Sequence, residues 1–332
     1  MNNDIRFDEM TTVQLQQYMR DNKETLTPEQ RRDILKLWQQ KSISEKKKAV
    51  EEANKTPKKK IQVEIQTQPI LQESTMKDPP PPLQELYKNI NRLHGIYQKK
   101  LALTLIPYKF WDWMIDESSH SSIALEQAKM TDEEQENFIK LCIQQDKNYK
   151  QAFLDILTAA FTEPHLTHDI VIGTASTLMK DIEPEHRNYY RKVSVQMYDL
   201  GIAVQNPASI PLKMTSILRE IEEGDKSPIQ KALDVHYNVI FIQPFIDSNK
   251  RTARLLANYY LIKNDYPPIL ISPKDQAAYL DAMIELKKTG NPEKYETFML
   301  SNLETTLKRS IERLDQLPIK NFSKLNATRS ER

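Results

Sequence analysis

The sequence predicts an all-α fold. From Leu83 to about Arg313 the apolar residues recur mostly at helical spacing. Alternation of the strand type is confined to one short stretch, Val193 to Val195, which suits one arm of a small β-hairpin. The 332 residues are 39% hydrophobic and 28% charged, enough for one sizeable domain with a full core plus appendages.

Residues 1–40 are expected to form a short helical N-terminal segment, with two short helices within 8–40. Thr27-Pro28-Glu29-Gln30 has the form of a capping box with proline at the first helical position, and Ile34, Leu35 and Trp38 make an apolar stripe behind it. Residues 41–83 are charged and low in complexity. They carry lysine triplets at Lys46–Lys48 and Lys58–Lys60 and end in the run Pro79–Pro82. Such a composition buries too little surface to fold and reads as a linker. The lysine runs also suit nucleic acid or anionic lipid, and the proline run an SH3-like partner. A main domain over 84–313 follows, with a polar tail at 314–332. Within the domain Ser122 and Glu126 share a helical face at i and i+4. Leu280, Met283, Ile284 and Leu286 mark one later helix; Phe298, Leu300, Leu303 and Leu307 mark another.

Residues 236–262 carry the most chemistry. The apolar run Val239–Ile242 ends at Gln243-Pro244, where proline disfavours helix in the residue before it. Asp247-Ser248-Asn249 is a polar turn suited to a helix N-cap, and Leu255, Leu256, Tyr259 and Tyr260 recur on one face of the helix that follows. Free N–H groups at a helix start attract anions. Arg251 and Arg254, three apart, stand on its first turn. A carboxylate, an amide, an anion nest and two arginines together suit a magnesium-bound phosphate, and equally a capped helix with solvated arginines.

The stretch Gln243-Pro-Phe-Ile-Asp-Ser-Asn-Lys-Arg-Thr-Ala-Arg254 resembles the signature loop of Fic/Doc (Fido) proteins, HPFx(D/E)GNGRxxR. The resemblance implies a helical Fic domain with a small β-hairpin flap, and transfer of AMP from ATP to a hydroxyl of a target protein. It implies Asp247 as the Mg²⁺ ligand, Asn249 and Lys250 with the loop amides around the α- and β-phosphates, and Arg251 and Arg254 on phosphate. Gln243 stands where the family has its general base, histidine. Ser248 and Lys250 stand where it has glycines. An amide does not titrate near neutral pH, so Gln243 cannot act as that base. His236, seven residues earlier, is open to two readings, a substitute base or a packing residue. Lys250 resembles the Doc branch, whose activity is kinase-like.

Residues 121–131, with Ser122 and Glu126, resemble the inhibitory helix (S/T)xxxE(G/N) of self-inhibited Fic proteins, and this implies a Glu126–Arg254 pair. Tyr190-Arg191 with Val193 and Val195, Ile210-Pro211-Leu212-Lys213-Met214 and Tyr266-Pro267-Pro268 resemble further family segments over residues 84–308. The flap is expected to hold the target backbone by β-augmentation. Three readings stay open: an attenuated AMP transferase, a catalytically silent pseudo-Fic scaffold that binds nucleotide or protein, and a Doc-like kinase.

Net charge of +1 gives no pull toward nucleic acid or membrane. The single cysteine, Cys142, excludes an intramolecular disulfide framework and fits a reducing compartment. With neither a long apolar span nor a signal-peptide pattern, a cytoplasmic protein is expected. His165 and His168 lack the further ligands of a zinc site.

Overall fold

The computed structural model describes residues 81–125, 135–182, 189–195 and 205–319, together with scattered positions between 7 and 37. The 41–80 stretch, Glu126 and the segments 183–188 and 196–204 lie outside the described residues.

In chain order the helices are α1 (Pro81–Leu103), α2 (Pro107–Ala124), α3 (Gln135–Thr162), α4 (His168–Leu178), α5 (Ile210–Glu223), α6 (Pro228–Ile242), α7 (Asn249–Lys263), α8 (Gln276–Thr289) and α9 (Glu293–Asp315). Helix α1 begins inside the proline run, where a missing N–H costs a first turn nothing. Thr167 and Ser227 cap α4 and α6 through their side chains, each accepting from the N–H three residues on. No strand occurs among the described residues; a single antiparallel bridge joins Thr104 to Ile319. Val193–Val195 has no strand pairing, and the residues that would complete a flap hairpin are outside the description.

The expected capping box at Thr27 is formed. Gln30 N donates to Thr27 Oγ1 (3.2 Å), and Thr27 N donates back to Gln30 Oε1 (2.9 Å). Thr11 and Gln14 form a second box with the same logic.

Helix α7 is the centre of the molecule. It packs against α6, α3 and α4, while α1 lies along α9 and α8 closes on α9. Every residue of α7 except its two lysines, Lys250 and Lys263, is buried. Leu255, Leu256, Tyr259 and Tyr260 are among them, but burial extends around the whole helix rather than along one face. A helix covered on all sides is normally apolar. This one carries Asn249, Arg251 and Arg254 into the interior, so each needs a partner there. Among the described residues, no helix is long and apolar enough to cross a membrane.

Candidate functional site

The loop 243–248 joins the C-terminus of α6 to the N-terminus of α7. Both hinge residues have positive φ. Gln243 closes α6 at φ +50°, ψ +64°, and Ser248 opens α7 at φ +66°, ψ +4°. The left-handed region is costly for a residue with a Cβ, and glycine is the usual occupant. Pro244 explains part of this, since it disfavours right-handed helix at Gln243. Ser248 contributes no side-chain cap bond, so the α7 start is left without one; instead Asp247 Oδ1 accepts from the Ser248 N–H.

Asn249 holds the loop in shape. Its Nδ2 donates to Phe245 O (2.8 Å) and to Gln243 Oε1 (3.0 Å), and its Oδ1 accepts from Phe245 N (2.9 Å). The Gln243 amide is therefore engaged at both ends, because its Nε2 donates to Ile240 O (2.8 Å). The Gln243 side chain is thus folded into the loop.

Arg191 holds the loop from outside. Its backbone N donates to Pro244 O (2.9 Å) and its Nε to Gln243 O (2.6 Å). Its two terminal nitrogens donate to Val193 O (2.7 Å) and Gln205 O (2.6 Å). Burial pushes this guanidinium below its ordinary pKa. Next to it, the Tyr190 hydroxyl bonds His168 Nδ1 (2.7 Å), His168 Nε2 bonds Thr215 Oγ1 (3.0 Å), and the Tyr190 ring packs on Phe245. The sequence placed Tyr190-Arg191 in a family segment but gave Arg191 no task; its partners lie 52 and 14 residues away in the chain.

The two arginines of α7 diverge. Arg251 Nη2 pairs with Asp247 Oδ2 at 3.1 Å and approaches Met179 Sδ at 3.8 Å. The guanidinium is 6% exposed and the Asp247 carboxylate 57% exposed. Arg254 turns toward the end of α2. Its Nε and Nη2 donate to Ser122 Oγ (3.1 and 2.8 Å), and Nη2 also donates to Ser122 O (3.2 Å). That end of α2 is held by two more bonds, Ser121 Oγ to Ile271 O and Gln276 Nε2 to Leu125 O (2.6 Å). Thus Ser122 meets Arg254, while the expected Glu126 contact falls outside the described residues. Lys250 lies on the first turn of α7, half-buried.

His236 is a packing residue in this structure. It is fully buried, with Nδ1 at 2.8 Å from the Tyr295 hydroxyl and Nε2 at 3.0 Å from that of Tyr279. Tyr295 donates to Leu233 O, so it accepts from Nδ1–H, and Nε2 accepts from Tyr279. Burial first, and the charge of Arg254 second, push its pKa down to about 3.

The sequence profile of the Fic/DOC family matches residues 165–261, which include α4, α6, the loop and nearly all of α7. The chain carries a Fic/DOC domain. The chain is 30% identical over 129 residues to a protein adenylyltransferase Fic of Drosophila grimshawi, covering 38% of this chain and 26% of that one. It is 33% identical over 115 residues to the protein of the same name in Drosophila persimilis, covering 34% and 22%. The match thus spans about a quarter of these relatives' own length. In fold, the chain is similar to a Fic domain containing signaling protein from Bacteroides thetaiotaomicron, with TM-score 0.55 and 22% identity over 70% of this chain and 99% of that one. A Fic family protein from Desulfovibrio desulfuricans gives 0.56 and 18% over 72% and 77%.

Proposed function

We propose that this Fic/DOC domain binds ATP with Mg²⁺ at the 243–251 loop, and that transfer of AMP to a target hydroxyl is strongly attenuated by Gln243. The observation that carries this reading is the contrast inside the loop. The supporting frame of Asn249, Arg191 and Arg251 is in place, while the side chain at the base position is an amide tied to Asn249 and Ile240.

The residues suit the ligand. Mg²⁺ is commonly held by one or two carboxylates plus substrate phosphates. Asp247 offers one exposed carboxylate, and the bound ion would neutralise phosphate charge. The uncapped start of α7 offers backbone donors for phosphate oxygens, and Arg251 a bidentate partner. The target hydroxyl meets no titratable base at Gln243, and a missing general base typically lowers a rate by ~10²–10⁴-fold. Ser122 on Arg254 supports a self-inhibitory role for the 121–131 segment: an arginine engaged by its own chain is not available to a terminal phosphate.

Incubation of the protein in a lysate with ATP labelled at the α- or the γ-phosphate tests the reading. Weak α-label transfer, increased by Gln243→His, is the expected result. Transfer of γ-label alone assigns the kinase-like chemistry of the Doc branch. Binding without transfer from either position, even in Gln243→His, assigns a pseudo-Fic scaffold.

A further inference from the structure

The contacts that support the loop continue outward to the start of α4. His168 stands half-buried on the first turn of that helix, where Thr167 caps the backbone. Thr215 Oγ1 of α5 donates to Pro211 O (3.0 Å), so it accepts from His168 Nε2–H (3.0 Å). A neutral imidazole has one N–H. Nδ1 is then the acceptor, and the Tyr190 hydroxyl donates to it (2.7 Å). Burial first, and the charge of Asp169 second, push the Tyr190 phenol above its ordinary pKa, which keeps that proton in place.

Tyr190 leads directly into the loop. Its ring packs on that of Phe245, with centroids 5.6 Å apart, and the N–H of the next residue, Arg191, donates to Pro244 O (2.9 Å). Phe245 in turn carries the Asn249 clamp on both its backbone groups, and the same Asn249 amide bonds Gln243 Oε1. The contacts therefore run without a break from Thr215 through His168, Tyr190, Phe245 and Asn249 to Gln243. Contact alone is not coupling. Here, however, Tyr190 is only 9% exposed, so its hydroxyl has little water to turn to if His168 is lost. The loop beyond Phe245 is also thinly supported, since Ser248 adds no cap bond to the start of α7.

The geometry points to His168 as a positioning residue for the 243–248 loop: by fixing the Tyr190 ring against Phe245, it holds Asn249 and Gln243 in the arrangement that presents the start of α7 to a phosphate. The phosphate clause rests on the nucleotide reading proposed above; the hold on the loop does not. Glutamine offers one donor and one acceptor, as neutral imidazole does, whereas leucine offers neither.

Amide hydrogen exchange of the full chain, read by mass spectrometry without nucleotide, tests the assignment. His168→Leu should speed exchange in peptides spanning 243–249 about tenfold, the scale of one lost buried hydrogen bond, and leave α1 and α9 unchanged. His168→Gln should restore the wild-type rate. Tyr190→Phe, which removes the hydroxyl and keeps the ring, should reproduce His168→Leu, and the double variant should exchange no faster than either. Mg-ATP affinity, measured by titration calorimetry, should fall in the same variants and recover in His168→Gln. Unchanged exchange at 243–249 in both single variants, acceleration spread evenly over all helices, or additive effects in the double variant would overturn the assignment. If wild type binds no Mg-ATP, the nucleotide reading falls, while exchange at 243–249 still decides the role of His168.

Discussion

Gln243 and Ser248 show how single residues set the state of the loop. Both sit at positive φ without being glycine. At Ser248 the left-handed backbone costs roughly 1–2 kcal/mol for a residue with a Cβ. Glycine would remove that strain and add ~0.5–1 kcal/mol of unfolded-state entropy. Ser248→Gly should therefore raise stability by about 0.5–1 kcal/mol in urea unfolding; a loss would mean that the serine side chain contributes contacts of its own. At Gln243 the issue is chemistry. Gln243→His supplies a titratable nitrogen at the place where the amide now bonds Asn249. On the proposed reading it should raise α-label incorporation by up to the ~10²–10⁴-fold that a general base provides. Glu126→Gly should add to that gain. A silent double variant would place the defect in Ser248 and Lys250 instead.

Between elements, two buried side chains hold the loop's surroundings together. Arg191 joins the loop to residues 193 and 205 through three backbone carbonyls. Lysine cannot reproduce a planar fork. Both Arg191→Ala and Arg191→Lys should cost about 2–4 kcal/mol in urea unfolding, since carbonyls paired to a charged donor are left buried and unmatched. Equal stability of wild type and Arg191→Lys would show that charge alone suffices. His236 ties α6 to α8 and α9. Its folded pKa of about 3 lies below the ordinary 6.5, so the unfolded chain takes up a proton first as pH falls. Stability conferred by neutral His236 is complete above pH 6.5 and declines toward pH 3. Between pH 6.5 and 4.5 this amounts to ~2–3 kcal/mol. Comparison of the pH dependence of wild type and His236→Asn isolates it, and parallel curves would refute the assignment.

These contacts also mark what the sequence could reveal. Local signals were legible: the Thr27–Gln30 box, the break of α6 before Pro244 and the apolar positions of α7 and α9 all follow from nearest-neighbour chemistry. The Asp247–Arg251 pair is likewise at i and i+4, although the residue types suggested metal and phosphate rather than each other. Arg191 and the Ser122–Arg254 contact were not derivable from spacing. Partners separated by 52 and 132 residues meet only because α7 is enclosed by α3, α4 and α6. The second capping box, Thr11 with Gln14, is equally local in the sequence.

At the scale of the whole molecule, the loop opens onto the helix around which the fold is built. Arg251 and Arg254 lie in α7, buried, and charge placed there is costly unless it is paired. Asp247 and Ser122 supply part of that pairing. A phosphate chain with its metal would supply more, at the N-terminus of the most enclosed helix, so binding should stabilise the global fold rather than a peripheral segment. A ligand selective for the native state adds RT ln(1 + [L]/Kd), ~2.7 kcal/mol at a hundredfold excess over Kd. For a domain of this size that corresponds to roughly 5–10 °C in melting temperature. Millimolar ATP with Mg²⁺ should therefore raise Tm measurably, and ATP with EDTA should raise it less, because Asp247 then faces the phosphates uncompensated. Arg251→Ala should reduce the shift, and Ser122→Ala, which releases Arg254, should leave it equal or larger. If wild type shows no shift at millimolar Mg-ATP, nucleotide binding at this loop is absent, and the domain's shape serves some contact other than phosphate.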